Sequence, residues 1–415
     1  MLRNIISTYI ARISSLLLNF LTNILIARAV GPEGRGFIAF ASSLASFWAS
    51  SGSFGINLSN FIFGAKWTDK RSHLVGNSIA ISLYSTLFLL LVLSLGKIIC
   101  PQLIYLPGVF FLGAIFYTLA LMLLTNLQAL LFAFDKVKIC NIQEVVSKVL
   151  ILAGCLILCY LHWQSPGKIF ITLVTITLIA SFYYIYACYK FLAQKPQVSW
   201  QIFKDSISFN FRAFLFMTTS NIFLFADTFL VTHLCGPSQA GLYNIAIIMR
   251  SFFLTFVGVI TQLLLPKVSQ HKVIREAIPE VLRVSFITTA VGITLLIITA
   301  IISPVIIPMV LGQEFASSAT MFIWIAPGVL FFCNYNILLV IFNLSGLPNR
   351  SIISIMLASV LNLVLCYLFI HQDGGAIGAC QAFSVTSLLL DIVTWIQILA
   401  LRKSPESLQE IASVQ

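Results

Sequence analysis

The segment Ala27-Arg-Ala-Val-Gly-Pro-Glu-Gly-Arg-Gly36 has a counterpart half a chain later, Thr232-His-Leu-Cys-Gly-Pro-Ser-Gln-Ala-Gly241. Gly31, Pro32 and Gly36 recur as Gly236, Pro237 and Gly241, an offset of 205 residues in a chain of 415. What flanks each copy decides the fold. Apolar runs of about 20 residues, enough to cross roughly 30 Å of hydrocarbon as a helix, adjoin both copies and recur along the chain. Runs such as Ser85 to Leu95 do not alternate as the strands of a membrane barrel would. Composition agrees: 59% of residues are hydrophobic and 9% charged, whereas a soluble domain has roughly a quarter charged residues.

The runs are read as twelve spans, at approximately 4–29, 36–64, 74–96, 108–134, 140–161, 168–192, 207–235, 241–268, 284–311, 318–343, 351–372 and 376–401. The first is too long for a signal peptide and carries Arg12 in its middle. Leu106-Pro-Gly108 and Gly346-Leu-Pro348 punctuate two further junctions. Six spans separate Gly31 from Gly236, an even number, so both turns face the same side. The expectation is an all-α integral membrane protein of about twelve transmembrane helices in two six-helix lobes. The lobes are 1–200 and 201–403, related by a pseudo-two-fold axis along the membrane normal, with a polar tail at 404–415.

Orientation follows from the basic residues of the loops. The side holding the N-terminus carries 16 of the 24 lysines and arginines, and the other side carries Arg35, Lys97 and Lys168. The N-terminal side is therefore cytoplasmic, with both termini inside. The net charge of +11 is mostly this topology signal, which argues against nucleic acid as a partner. The nine cysteines form no CxxC pair and suit packing in apolar spans. No metal-ligand cluster, P-loop or Gly-x-Ser-x-Gly elbow is present, so neither a cofactor nor an enzymatic activity is expected.

Polar residues inside the spans follow helical spacing. Ser43, Ser46, Ser50, Ser53, Asn57 and Asn60 share one face of the second span at steps of three and four. The middle four correspond, 205 residues later, to Ser251, Thr255, Gly258 and Gln262. Small hydroxyl residues also let helices pack closely, but Asn57, Asn60 and Gln262 favour a wet cavity. Thr8, Arg12, Ser15, Asn19 and Asn23 form a similar stripe on the first span.

Arg12, Arg28, Lys148, Arg212 and Arg250 lie within or at the ends of spans, with Glu144, Asp227 and Asp391 as acidic counterparts. Each intramembrane charge costs on the order of 2.5–3.5 kcal/mol at a helix centre, so such residues mark pathways or partners. Lys148 is one turn from Glu144 and suits a local pair; Arg28 and Arg212 are close enough to helix ends to snorkel. Arg12 and Arg250 resist both readings. The excess of positive charge suits an anionic cargo. Asp227 and Asp391 could each bind a coupling proton or sodium ion, or simply neutralise an arginine. In the loop Lys272-Val-Ile-Arg-Glu-Ala-Ile-Pro-Glu-Val-Leu-Arg283, apolar pairs recur every four residues. This fits either a short amphipathic helix on the cytoplasmic surface or the start of the ninth span.

Three stretches carry a resemblance. Ile24-Leu-Ile-Ala-Arg-Ala-Val-Gly-Pro-Glu-Gly34 resembles the end of the first helix of Wzx-type polysaccharide flippases, relatives of lipid II flippases and MATE exporters. Phe225-Ala-Asp-Thr-Phe-Leu230 with Gly236-Pro-Ser-Gln-Ala-Gly-Leu-Tyr243 is similar to their seventh helix and the turn after it. Leu263-Leu-Leu-Pro-Lys-Val-Ser269 is similar to the end of their eighth. The resemblance implies alternating-access transport of undecaprenyl-diphosphate-linked oligosaccharide from the inner to the outer leaflet of a bacterial inner membrane. Its implied partners are the lipid-linked glycan, membrane lipids, polysaccharide polymerase and chain-length proteins. Arg28 matches an arginine that lipid II flippases place in their cavity.

Arg12, Arg28, Arg212 and Arg250 are thus the expected diphosphate donors, because guanidinium forks suit phosphate. Asn19, Asn23, Ser50, Asn57, Thr255 and Gln262 are the expected partners of sugar hydroxyls. A MATE-like drug exporter would favour acidic cavity residues instead. A glycan polymerase or ligase would need a sizeable external loop, and a pure scaffold would need no intramembrane charges.

Overall fold

The computed structural model describes residues 2–99, 106–192, 194–271, 273–344 and 349–404. The expected Gly346-Leu-Pro348 junction, Lys272 and the tail beyond Ser404 lie outside the described residues, as do the side chains of residues 2–9, Thr8 among them. Eleven α-helices are present among the described residues. They are α1 (Leu2–Ser51), α2 (Ile56–Lys66), α3 (Arg71–Ile99), α4 (Gly108–Ala133), α5 (Val137–Tyr160), α6 (Pro166–Lys190), α7 (Trp200–Val268), α8 (Ile274–Leu311), α9 (Ser317–Leu344), α10 (Asn349–Phe369) and α11 (Gly375–Lys403). Among the described residues ten stretches are long and apolar enough to span a membrane, and the chain is a multi-pass, all-helical membrane protein.

Two helices are double. α1 and α7 each hold two of the expected spans, joined at Gly31 (φ 65°, ψ −176°) and Gly236 (φ 85°, ψ 168°). Both glycines occupy a region of backbone space that is essentially closed to other residues, and the proline that follows each is pre-set to restart a helix. The repeated phrase therefore encodes one and the same kink twice. Division at these glycines yields twelve helices long enough to span.

The second expected span is interrupted. The helix stops at Ser51 and restarts at Ile56, because Phe54 (φ 49°) and Gly55 (φ 74°) leave the helical region. The six-residue stripe from Ser43 to Asn60 is consequently not one continuous face. The loop at 272–283 is not a separate surface helix either: Ile274 to Arg283 forms the first turns of α8, with Ile274, Ala277, Ile278 and Val281 buried. Lys267 at the end of α7 pairs with Glu280, which also lies 3.2 Å from His271 Nε2, fastening this junction.

The chain divides into two compact units, Met1–Asn221 and Ile222–Gln415. Unit 1 is built around two apolar clusters. One gathers Leu74, Leu123, Leu127, Leu130 and Tyr184; the other gathers Ile26, Ile38, Phe110, Ile151 and Phe170. Unit 2 is organised by α9, which is apolar all round and largely buried. Pro327 interrupts the hydrogen bonding of α9, and Ser384 of α11 fills the gap: its Oγ donates to the Trp324 carbonyl (2.7 Å) and accepts from Gly328 N (3.1 Å). A side chain at Gly328 would run into the Ser384 backbone, so glycine sets how closely α9 and α11 approach. Leu87, Ile98, Tyr160, Ile301 and Met309 remain exposed, the apolar coat required of a surface in lipid.

Candidate transport site

In unit 1, the first arm of α1 carries Arg12, Asn19, Asn23 and Arg28. Arg12 is half-buried beside buried Ala11, while Asn19 and Arg28 are exposed. Asn23 is held at both ends of its amide. Its Nδ2 donates to the Asn19 carbonyl (2.7 Å), and its Oδ1 accepts from Arg35 Nη2 (2.5 Å). Arg35 was expected in an exposed outer loop. Four residues beyond the kink it is instead helical and buried, 6% exposed. The loop length implied by the Gly-Pro phrase hid this arginine, because the kink consumes almost no residues. Arg212 is exposed on α7, and Ser50 and Asn57 are half-buried on either side of the helix break.

Asn60 departs from its stripe altogether. Its Nδ2 donates to Ser78 Oγ (2.7 Å) and to the Asn126 carbonyl (3.0 Å), while Asn126 Nδ2 donates to Ser82 Oγ (3.3 Å). All four residues are at most 1% exposed. This neutral network ties α2, α3 and α4 together and leaves Asn60 no room for a cargo. Glu144 and Lys148 do not close to ion-pair distance among the described residues.

In unit 2, the two groups singled out as anion donor and cation acceptor find each other. Arg250 Nη1 lies 3.2 Å from Asp227 Oδ2, and both side chains are buried. Arg250 Nη2 donates to the Leu224 carbonyl (2.8 Å), and the guanidinium stacks 4.6 Å over the Phe383 ring. Asp227 Oδ2 also accepts from the Tyr243 hydroxyl (2.7 Å), and Oδ1 accepts from Thr228 N (2.6 Å) and Thr228 Oγ1 (3.3 Å). Beside the pair, Asn362 accepts from Thr386 Oγ1 (3.1 Å) and donates to the Phe223 carbonyl (3.4 Å). Arg250 Nε alone lacks a hydrogen-bond partner. Thr255 is half-buried with its hydroxyl turned back onto the Ser251 carbonyl, and Gln262 is exposed.

Asp391 on α11 has different company. Both carboxylate oxygens accept from Asn334 Nδ2 on α9, at 2.9 and 3.0 Å. Asn334 Oδ1 in turn accepts from Ser285 Oγ and, at 3.3 Å, from Thr289 Oγ1, both on α8. The sequence signal for Asn334 was only an amide inside an apolar run, with Asn336 two residues on and nothing to mark either as the partner of Asp391.

Comparison with known proteins places the fold. A structure of the lipid II flippase MurJ in an inward closed conformation superimposes with a TM-score of 0.74 at 16% identity, covering 96% of this chain and 88% of that one. An inward-facing multidrug resistance MATE transporter of the MOP superfamily gives 0.72 at 14%, covering 94% and 96%. A MOP superfamily transporter from Pyrococcus furiosus, described as having a binding pocket of reverse polarity, gives 0.62 at 13%, covering 97% and 96%. These identities establish a shared transporter fold and nothing finer. No curated protein matches the chain in sequence. The family pattern described as "Polysaccharide biosynthesis protein" does match, over residues 1–272, and with more than half of its length so matched the chain belongs to that family.

Proposed function

We propose that the protein is an alternating-access flippase. It would move a polyprenyl-diphosphate-linked oligosaccharide from the inner to the outer leaflet of a bacterial cytoplasmic membrane, with both termini inside. The observation that carries this reading is the family match over residues 1–272 in a chain with the fold of a lipid II flippase. Two six-helix lobes related by a pseudo-two-fold axis, dividing near residue 200, suit the repeated kinks at Gly31 and Gly236.

The charge distribution supports the same cargo. Arg12, Arg28 and Arg212 supply guanidinium forks for a diphosphate, while Asn19, Asn23, Ser50, Asn57, Thr255 and Gln262 supply amides and hydroxyls for sugars. Arg250 joins them only when its pair with Asp227 opens. Polysaccharide polymerase and chain-length proteins are the partners such a carrier would feed. The test is reconstitution into vesicles loaded with a polyprenyl-diphosphate glycan in one leaflet, with glycan in the other read by an external lectin. Transfer by the protein and not by empty vesicles is the expected result. Export of a cationic dye without glycan transfer would replace this reading with a MATE-type exporter.

A further inference from the structure

The two buried carboxylates of unit 2 are furnished very differently. Asp227 has four donors, one of them a guanidinium. Asp391, 6% exposed, has a single amide nitrogen shared between its two oxygens. An ionised carboxylate offers about four acceptor positions, and leaving it underfurnished inside a membrane protein is costly. Charged and titratable groups do lie on the elements around it: Asp227 and Arg250 of α7, Arg283 of α8, Tyr335 of α9, Cys366 of α10 and Arg402 of α11. Among the described residues none of them bonds to Asp391.

We propose that Asp391, Asn334, Ser285 and Thr289 form a proton-binding site. The ligand is a proton because the network can satisfy both charge states. With Asp391 ionised, the Asn334 NH2 faces the carboxylate and Oδ1 accepts from the two hydroxyls. With Asp391 protonated, a half-turn of the amide presents Oδ1 to the new O–H. Its NH2 then faces Ser285 and Thr289, whose hydroxyls accept as readily as they donate. A hydronium ion gives its proton to a carboxylate oxygen and leaves as water.

A small cavity adjoins the network. Thr289 and Asn334 line a cavity between α7, α8 and α9 with about 20 Å³ open to the centre of a water, walled by Phe253, Val257, Leu296 and Leu330. A water needs roughly 10–15 Å³ so measured, so the cavity holds about one, too little for a hydrated metal ion. The three helices α8, α9 and α11 are joined through Asn334, so protonation resets the bonds that pin them. Proton binding at Asp391 does not depend on the identity of the cargo.

Infrared difference spectroscopy on the purified full-length protein, with isotope-labelled aspartate carboxyls, tests it across the pH range in which the fold persists. A protonated-carboxyl band should rise as pH falls, be lost in Asp391→Asn, and titrate about one to two pH units higher in Asn334→Leu, where the charged form loses its donor. Sodium added at constant pH should leave the band unchanged. A wild-type difference spectrum that Asp391→Asn does not alter would overturn the proposal. So would loss of the band on adding sodium, which would make the site a metal-cation site. Should Asp391→Asn fail to fold, the Asn334→Leu shift decides alone, and an unmoved midpoint there overturns the assignment.

Discussion

Unit 1 and unit 2 share a kink but fill their polar interiors differently. Unit 1 ties α2, α3 and α4 together through neutral groups, Asn60, Ser78, Ser82 and Asn126, and its buried Arg35 bonds to a neutral amide, Asn23. Unit 2 places a full ion pair, Asp227 with Arg250, at the corresponding task of holding buried helices together. The two solutions respond differently to damage. A neutral network that loses one member loses a hydrogen bond or two, worth about 0.5–1.5 kcal/mol each. A buried pair that loses one partner leaves an uncompensated charge, at about 3–5 kcal/mol, although replacing both partners together is often nearly neutral.

The largest expected effect is therefore in unit 2. Arg250→Met should lower unfolding stability by about 3–5 kcal/mol, and adding Asp227→Leu should recover most of that loss, as read by denaturation in detergent. A double variant as unstable as the single one would mean that the pair is not the organising contact. Transport separates the arginines further. Arg12→Ala should keep its stability yet reduce glycan transfer by about 10- to 100-fold, the worth of one or two charge-assisted bonds. Arg12→Lys should restore part, since an ammonium lacks the bidentate fork. Wild-type transfer by Arg12→Ala at normal expression would remove Arg12 from the anion path.

The kinks test where the units are alike. Gly31→Ala and Gly236→Ala should each destabilise by about 1–3 kcal/mol, because both impose a backbone conformation open essentially to glycine alone. Equal losses would sharpen the equivalence, and a loss at only one position would break it. The smallest effect is expected at Asn126→Leu, about 0.5–1.5 kcal/mol, because Ser82 keeps its bond to the Ser78 carbonyl. A loss as large as that of Arg250→Met would erase the contrast between neutral and charged interiors.

Much of this molecule is written locally. Hydropathy alone located the spans, because a helix in lipid must satisfy its own backbone and can be recognised one segment at a time. The Gly-Pro phrase located both kinks, since proline restricts the residue before it and glycine is the residue that can comply. The same local reading mistook Arg35 for a loop residue, extended the second span through Phe54 and Gly55, and took the start of α8 for a possible surface helix. In each case a helix boundary hung on one or two backbone angles, which periodicity does not encode.

Partnership is where sequence reading stopped. The charges of Arg12, Arg250, Asp227 and Asp391 were conspicuous in the sequence because any charge in an apolar run is costly. Nothing in a one-dimensional pattern says that Arg250 reaches back 23 residues to Asp227, that Asn60 meets Asn126 across 66, or that Asp391 rests on Asn334 across 57. Helical spacing assigns a residue to a face of its own helix. Which face of which other helix it meets is set by the packing of small residues, kinks and close approaches such as Gly328 on Ser384. Residue order alone specifies a multi-span helical membrane protein with two matched Gly-Pro turns and a few costly charges. Helix packing in three dimensions sets which of those charges is neutralised by a partner and which is left to a single amide.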